Sequence, residues 1–158
     1  MKDIVRTLEG DTLIEETIAM LKEGRRVVLP VKGSSMHPFI IGGKESVELV
    51  SPQEPLKVGD VVLAWVNGTR YVVHRIIGID DDKVSLMGDG NSIDKVEHCQ
   101  TEEVAGVAEY VVAPNGKRRY LYTKTRQRCS RLWWKVKPVR RWLLALYRRT
   151  FLKLNIHI

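Results

Sequence analysis

Residues 60–79, DVVLAWVNGTRYVVHRIIGI, read as two strands joined by a tight turn. Asp60–Val66 and Tyr71–Ile79 are dense in Val, Ile, Trp and Tyr, side chains that suit a pleated, half-buried surface. Asn67-Gly68 lies between them, and this dipeptide accepts the left-handed dihedrals of a tight hairpin turn. Alternation along the second strand puts Val72, His74 and Ile76 on one face and Val73, Arg75 and Ile77 on the other. The imidazole of His74 therefore falls among branched aliphatics. It needs a partner there, because an unpaired buried donor or acceptor costs about 1–3 kcal/mol.

Working outward from this hairpin, Asp80–Lys83 is a second turn that leads into a strand at Val84–Met87. Val104–Val112 is another strand, followed by a turn at Asn115-Gly116. Upstream, Ser46–Val50 is a short strand. Arg26–Lys32 is a further one that Pro30 confines to a sheet edge or a bulge. Residues 11–24 predict a helix, with Asp11 as N-cap, Leu13, Ile14, Ile18, Met20 and Leu21 as its apolar side, and Gly24 as its stop. Five or six strands after one helix make the chain mainly β. The expected organisation is an N-terminal helical segment (1–25), a β-rich domain (26–125) and a basic, Trp-rich helical tail (126–158). Within the tail, Pro138 suits the first turn of an amphipathic helix over about 139–153. Val139, Trp142, Leu143, Leu146 and Tyr147 share one broad side of it, Arg141, Arg148 and Leu152 lie opposite, and Arg149 and Lys153 flank the apolar side.

The 158 residues suffice for one ordinary domain, and their charge is unevenly divided. Residues 1–115 hold 12 Lys/Arg and 19 Asp/Glu, a net −7. Residues 116–158 hold 14 Lys/Arg and no acid. Cys99 and Cys129 show no metal-ligand spacing and read as free thiols of a reducing compartment. His37, His98 and His157 share no such spacing either, so no metal and no cofactor is expected. The opening MKDIVRTLEGDTLIEE lacks the apolar run of a leader or anchor. No segment approaches the roughly 20 apolar residues of a spanning helix. The expectation is a cytoplasmic protein, peripheral on the inner face of the membrane if its tail docks there.

Ser35 lies in 33-GSSMHP-38, where a strand ends at glycine. Such a bend lifts a hydroxyl clear of the backbone and leaves N–H groups aimed the same way, as an oxyanion requires. A serine hydroxyl is a weak nucleophile near neutral pH and needs a base within hydrogen-bond reach. His74 can be that base. Asp89 and Asp94, in 87-MGDGNSID-94, are the candidate carboxylates to orient it.

In order and spacing these blocks resemble the signal peptidase I superfamily, which includes the self-cleaving repressors of the SOS response. The resemblance covers about residues 30–110. Ser35-Met36 with Pro38 matches the nucleophile box, and Gly59-Asp60-Val61-Val62 matches that of the next strand. His74-Arg75 stands where bacterial enzymes carry Lys-Arg and the endoplasmic-reticulum and archaeal types carry His-Arg. Gly88-Asp89-Gly90-Asn91 with Asp94 matches the final acidic box. The resemblance implies a coiled β-sheet domain and a Ser-His endopeptidase that cuts a leader or partner protein. Ser35 would attack, and His74 would relay the proton to the leaving amine. Two departures stand out. The paired aspartates that end the acidic box in the eukaryotic enzymes are Asp94-Lys95 here, which leaves the orienting acid open between Asp89 and Asp94. The bacterial oxyanion serine is replaced by Gly33, so the hole would draw on Ser34 and on the backbone of Ser35 and Met36.

The substrate is expected to bind as an added strand along an exposed edge, with 26–32 the natural candidate. The competing reading is a module that keeps the fold without turnover. In the tail, Trp133, Trp134, Arg140, Arg141, Trp142, Arg148 and Arg149 are the candidate docking residues. Tyr147 and Phe151 add to their aromatic content. An anionic membrane is the favoured partner, and nucleic acid the weaker one. The bland alternative is a helix packed on the β domain.

Overall fold

The computed structural model describes residues 10–91, 94–136 and 139–152. Pro138, Lys153 and His157 lie outside them, as do the side chains of Asp11, Phe151 and Leu152. Among these residues the chain runs from helix α1 (Gly10–Lys22) through strands β1 (Val27–Pro30), β2 (Ser46–Val50), β3 (Val61–Val66) and β4 (Arg70–Asp80). Next come β5 (Lys83–Met87), β6 (Glu97–Gln100), β7 (Val104–Val112) and β8 (Arg118–Tyr120). Two helices follow, α2 (Lys124–Lys135) and α3 (Arg140–Tyr147), the latter running into a wider turn at Arg148–Leu152.

The hairpin at 60–79 forms with Val61 opposite Arg75 and Val66 opposite Arg70. Asn67 and Gly68 both take positive φ, 51° and 67°, and the Thr69 N–H donates to the Val66 carbonyl. All pairings are antiparallel in the order β1-β2-β7-β3-β4-β5-β6, with β8 on β7. β6 then folds back to the β3–β4 turn, where Asn67 and His98 exchange hydrogen bonds of 3.0 and 3.2 Å. The sheet is thus curled, and each face of β3 and β4 has its own core. Val61, Leu63 and Val73 join Leu21, Leu49 and Met36, whereas Val62, Ala64, Val72 and Ile76 join Val84, Leu86 and Cys99. The alternation read for β4 holds.

Strands β6 and β8 exceed the five or six expected. Both are short and polar (97-EHCQ-100, 118-RRY-120), so neither has a hydrophobic period to reveal it. They exist because the curled sheet supplies paired edges. Helix α1 stops as expected at Gly24, whose N–H donates to the Leu21 carbonyl while Arg25 N–H reaches that of Met20. The described part of this helix already includes Gly10 and Asp11, which places Asp11 inside the helix and not at its cap. Cys99 is buried and Cys129 exposed, both free.

Candidate active site

Ser35 and His74 line one cleft of about 450 Å³. Leu29–Lys32 form one wall, Tyr71–His74 the other, and Leu13 and Ile14 of α1 also line it. The walls are strand edges. Among the described residues, β1 pairs only with β2, and β5 meets β4 only from Arg75 onward, so residues 70–74 are unpaired on that side.

The loop carrying Ser35 is fixed from two directions. Met36 is buried in the core and its carbonyl accepts from the Phe39 and Ile40 N–H groups. From behind, Gly90 N–H donates to the Ser35 carbonyl at 2.7 Å. A Cβ on Gly88 would overlap the Ser35 carbonyl oxygen, and one on Gly90 would overlap that of Ser34. The glycines of 88-GDGN-91 are there because backbone packs directly on backbone. Among the described residues, the N–H groups of Ser35 and Met36 have no acceptor, and Ser34 is exposed. Two unengaged donors thus flank the half-buried Ser35. Its hydroxyl makes no hydrogen bond, to His74 or to any other described residue.

His74 is 3% exposed, opposite Val62 on β3. Its carboxylate partner is Glu97: Oε2 lies 2.7 Å from Nδ1, and neither atom has another partner. Arg70 holds the other Glu97 oxygen at 2.5 Å. Burial pushes the imidazole below its ordinary pKa, with the Glu97 carboxylate opposing the shift. Burial therefore favours the neutral imidazole over the charged one.

Neither aspartate proposed from the sequence orients the imidazole. Asp89 is fully buried and binds Arg75 through two bonds, 2.8 and 2.7 Å. Asp94 is exposed, with no partner among the described residues. Strand geometry is the reason. Arg75 follows His74 directly and points to the opposite face, so a carboxylate serving one cannot serve the other. Glu97 lies opposite Leu86, which lies opposite Ile76, two residues from His74 on the same face. No hydrophobic period in 97-EHCQ-100 marks this strand, and only its pairing with β5 puts Glu97 and Cys99 inward.

Asp89 has a structural duty. Burial opposes the Arg75 charge, and Asp89, together with Tyr122 and Asp60, more than offsets it, holding the guanidinium above its ordinary pKa. Asp89→Ala should lower unfolding free energy by about 3–5 kcal/mol, the cost of leaving a buried charge unpaired. Urea denaturation measures it, and a loss under about 1 kcal/mol would show that the pair contributes little beyond its desolvation cost.

The C-terminal helices dock on the same loop. Trp133 Nε1 donates to the Asp89 carbonyl at 2.8 Å, and Arg140, 3% exposed, donates to the carbonyls of Gly88 and Asp89. The Arg140 guanidinium also lies over the rings of Trp133 and Trp134. This corrects the expectation for Trp133, Trp134 and Arg140, which are engaged within the chain. Arg141, Trp142, Arg148 and Arg149 are exposed. Among the described residues, no helix is long and apolar enough to cross a membrane, and no group of His, Cys, Asp and Glu could hold a metal ion.

The curled antiparallel sheet thus brings Ser35 and His74 to one edge-lined cleft. The family profile described as Peptidase S24-like matches residues 4–111, and the chain belongs to that family. No curated protein and no solved structure matches it.

Proposed function

We propose that the chain is a serine endopeptidase of the Ser-His type found in endoplasmic-reticulum and archaeal signal peptidases. Ser35 is its nucleophile, His74 its general base and Glu97 the carboxylate that orients the base. One observation carries the reading: a buried imidazole, held by a carboxylate at Nδ1, lines the same cleft as a serine flanked by two unengaged N–H groups. In this mechanism Ser35 Oγ attacks the scissile carbonyl while His74 Nε2 takes its proton. The Ser35 and Met36 amides receive the oxyanion. His74 then passes the proton to the leaving amine, and water repeats the cycle on the acyl-enzyme. Apo sites often form the nucleophile–base bond only on binding, which fits the unbonded Ser35 hydroxyl.

The substrate is an extended segment of a leader or partner protein, inserted between the edges of β1 and β4. Both walls offer main-chain groups at strand spacing, and Pro30 interrupts the donors of only one. The unbonded Ser35 hydroxyl also favours a second reading, a peptide-binding module without turnover.

A serine-reactive phosphonate separates the two. Labelling should map to Ser35 and vanish in His74→Ala. Its rate should rise with pH to a plateau, with a midpoint below the ordinary histidine value near 6.5, because the base must lose its proton first. Absence of labelling at every pH would leave the binding module.

A further inference from the structure

Helix α3 docks one face on the β domain and leaves a second, apolar face uncovered among the described residues. Arg140, Leu144 and Tyr147, at i, i+4 and i+7, form the inner face. Arg140 and Leu144 are buried, and the Tyr147 ring meets His37 edge-on at 6.1 Å. Val139, Trp142, Leu143 and Leu146 recur at i, i+3, i+4 and i+7, the spacing of a single stripe. All four are exposed, Trp142 by 77% and Leu146 by 59%. Arg149 flanks this stripe and Arg141 and Arg148 lie across the helix from it, all three exposed. The last acidic residue of the chain is Glu109, so nothing after it neutralises these charges.

We propose that this outer face of α3 docks on an anionic bilayer surface. Val139, Trp142, Leu143 and Leu146 enter the boundary between headgroups and acyl chains, Arg149 beside them lies against lipid phosphates, and the net +14 of residues 116–158 adds a longer-range attraction to the anionic leaflet. The same surface fits other occupants less well. Nucleic acid would use the charges and Trp142 but has no place for Val139, Leu143 and Leu146. A second copy would bring two segments of net +14 together.

Docking there has a consequence for the groove. The inner face of α3 holds the Gly88–Asp89 carbonyls, the neighbouring Gly90 holds the Ser35 carbonyl, and Tyr147 lies against His37, two residues from Ser35. If the peptidase reading of the previous section holds, cleavage is directed at segments close to the leaflet.

The test is co-sedimentation of the full chain with phosphatidylglycerol-rich vesicles and with pure phosphatidylcholine vesicles. Binding is expected to the first alone and to weaken as salt rises. The exposed pair Trp142→Ser/Leu146→Ser should reduce it at least about tenfold, and Arg149→Ala about fivefold. Ser35→Ala should bind as the unmodified chain does, which separates this proposal from the peptidase reading. Equal binding to both vesicles or to neither would overturn it, and so would undiminished binding by the double serine variant. Displacement from vesicles by duplex DNA would assign the face to nucleic acid. A dimer that Trp142→Ser dissolves would assign it to a second copy.

Discussion

Ser35→Ala removes peptide-bond cleavage by at least about 10⁴-fold and leaves the melting temperature unmoved. The two halves of this expectation have separate causes. Activity should depend on Oγ because, among the described residues, Ser35 is the one serine or threonine that lines the cleft with His74. Stability does not, because Oγ makes no hydrogen bond and the residue is only half-buried. Changes of that kind alter stability by less than about 0.5 kcal/mol. Cleavage of an extended-peptide library, followed by mass spectrometry, reads the first half, and thermal unfolding reads the second. His74→Ala should match the activity loss but destabilise the fold, since it strips Glu97 of one partner. The double variant should be no less active than either single one, because nucleophile and base act as a unit. Unchanged cleavage by Ser35→Ala would end the peptidase assignment.

Glu97→Gln is the second large effect, a fall of two to about four orders of magnitude in kcat/KM. The amide keeps the size of the side chain while losing the charge that favours imidazolium as the proton arrives. The pH profile separates this positioning role from general damage. Glu97 raises the His74 pKa against the effect of burial, so its removal moves the acid limb to still lower pH. A merely structural glutamate would leave the limb in place. Asp94→Asn is the control and should change neither rate nor profile, because its carboxylate is exposed and unpartnered among the described residues. If Asp94→Asn and Glu97→Gln exchange these outcomes, the site is oriented from the loop and not from β6.

Local chemistry made much of this legible in the order of the residues. The β3–β4 hairpin rests on two β-branched runs and an Asn-Gly turn, interactions spanning a few residues, and it forms where those residues stand. The Gly24 stop of α1 and the alternation along β4 are equally local. Ser35 and His74 were legible as candidates through the type and order of their neighbours. The assignment of the acids was not. Asp89 and Glu97 are both carboxylates a short way beyond His74, and only strand register decides which face each occupies. One residue of register exchanges the faces, and the curl that returns β6 to Asn67 is a property of the whole sheet. The tail shows the same limit. Its helical period and charge are local facts, but the division of α3 into a face held by the Gly88–Asp89 carbonyls and a face left to solvent follows from where the β domain offers unsatisfied carbonyls. Burial and pairing depend on partners distant in the chain, and a sequence pattern carries that information only once the strands have been placed.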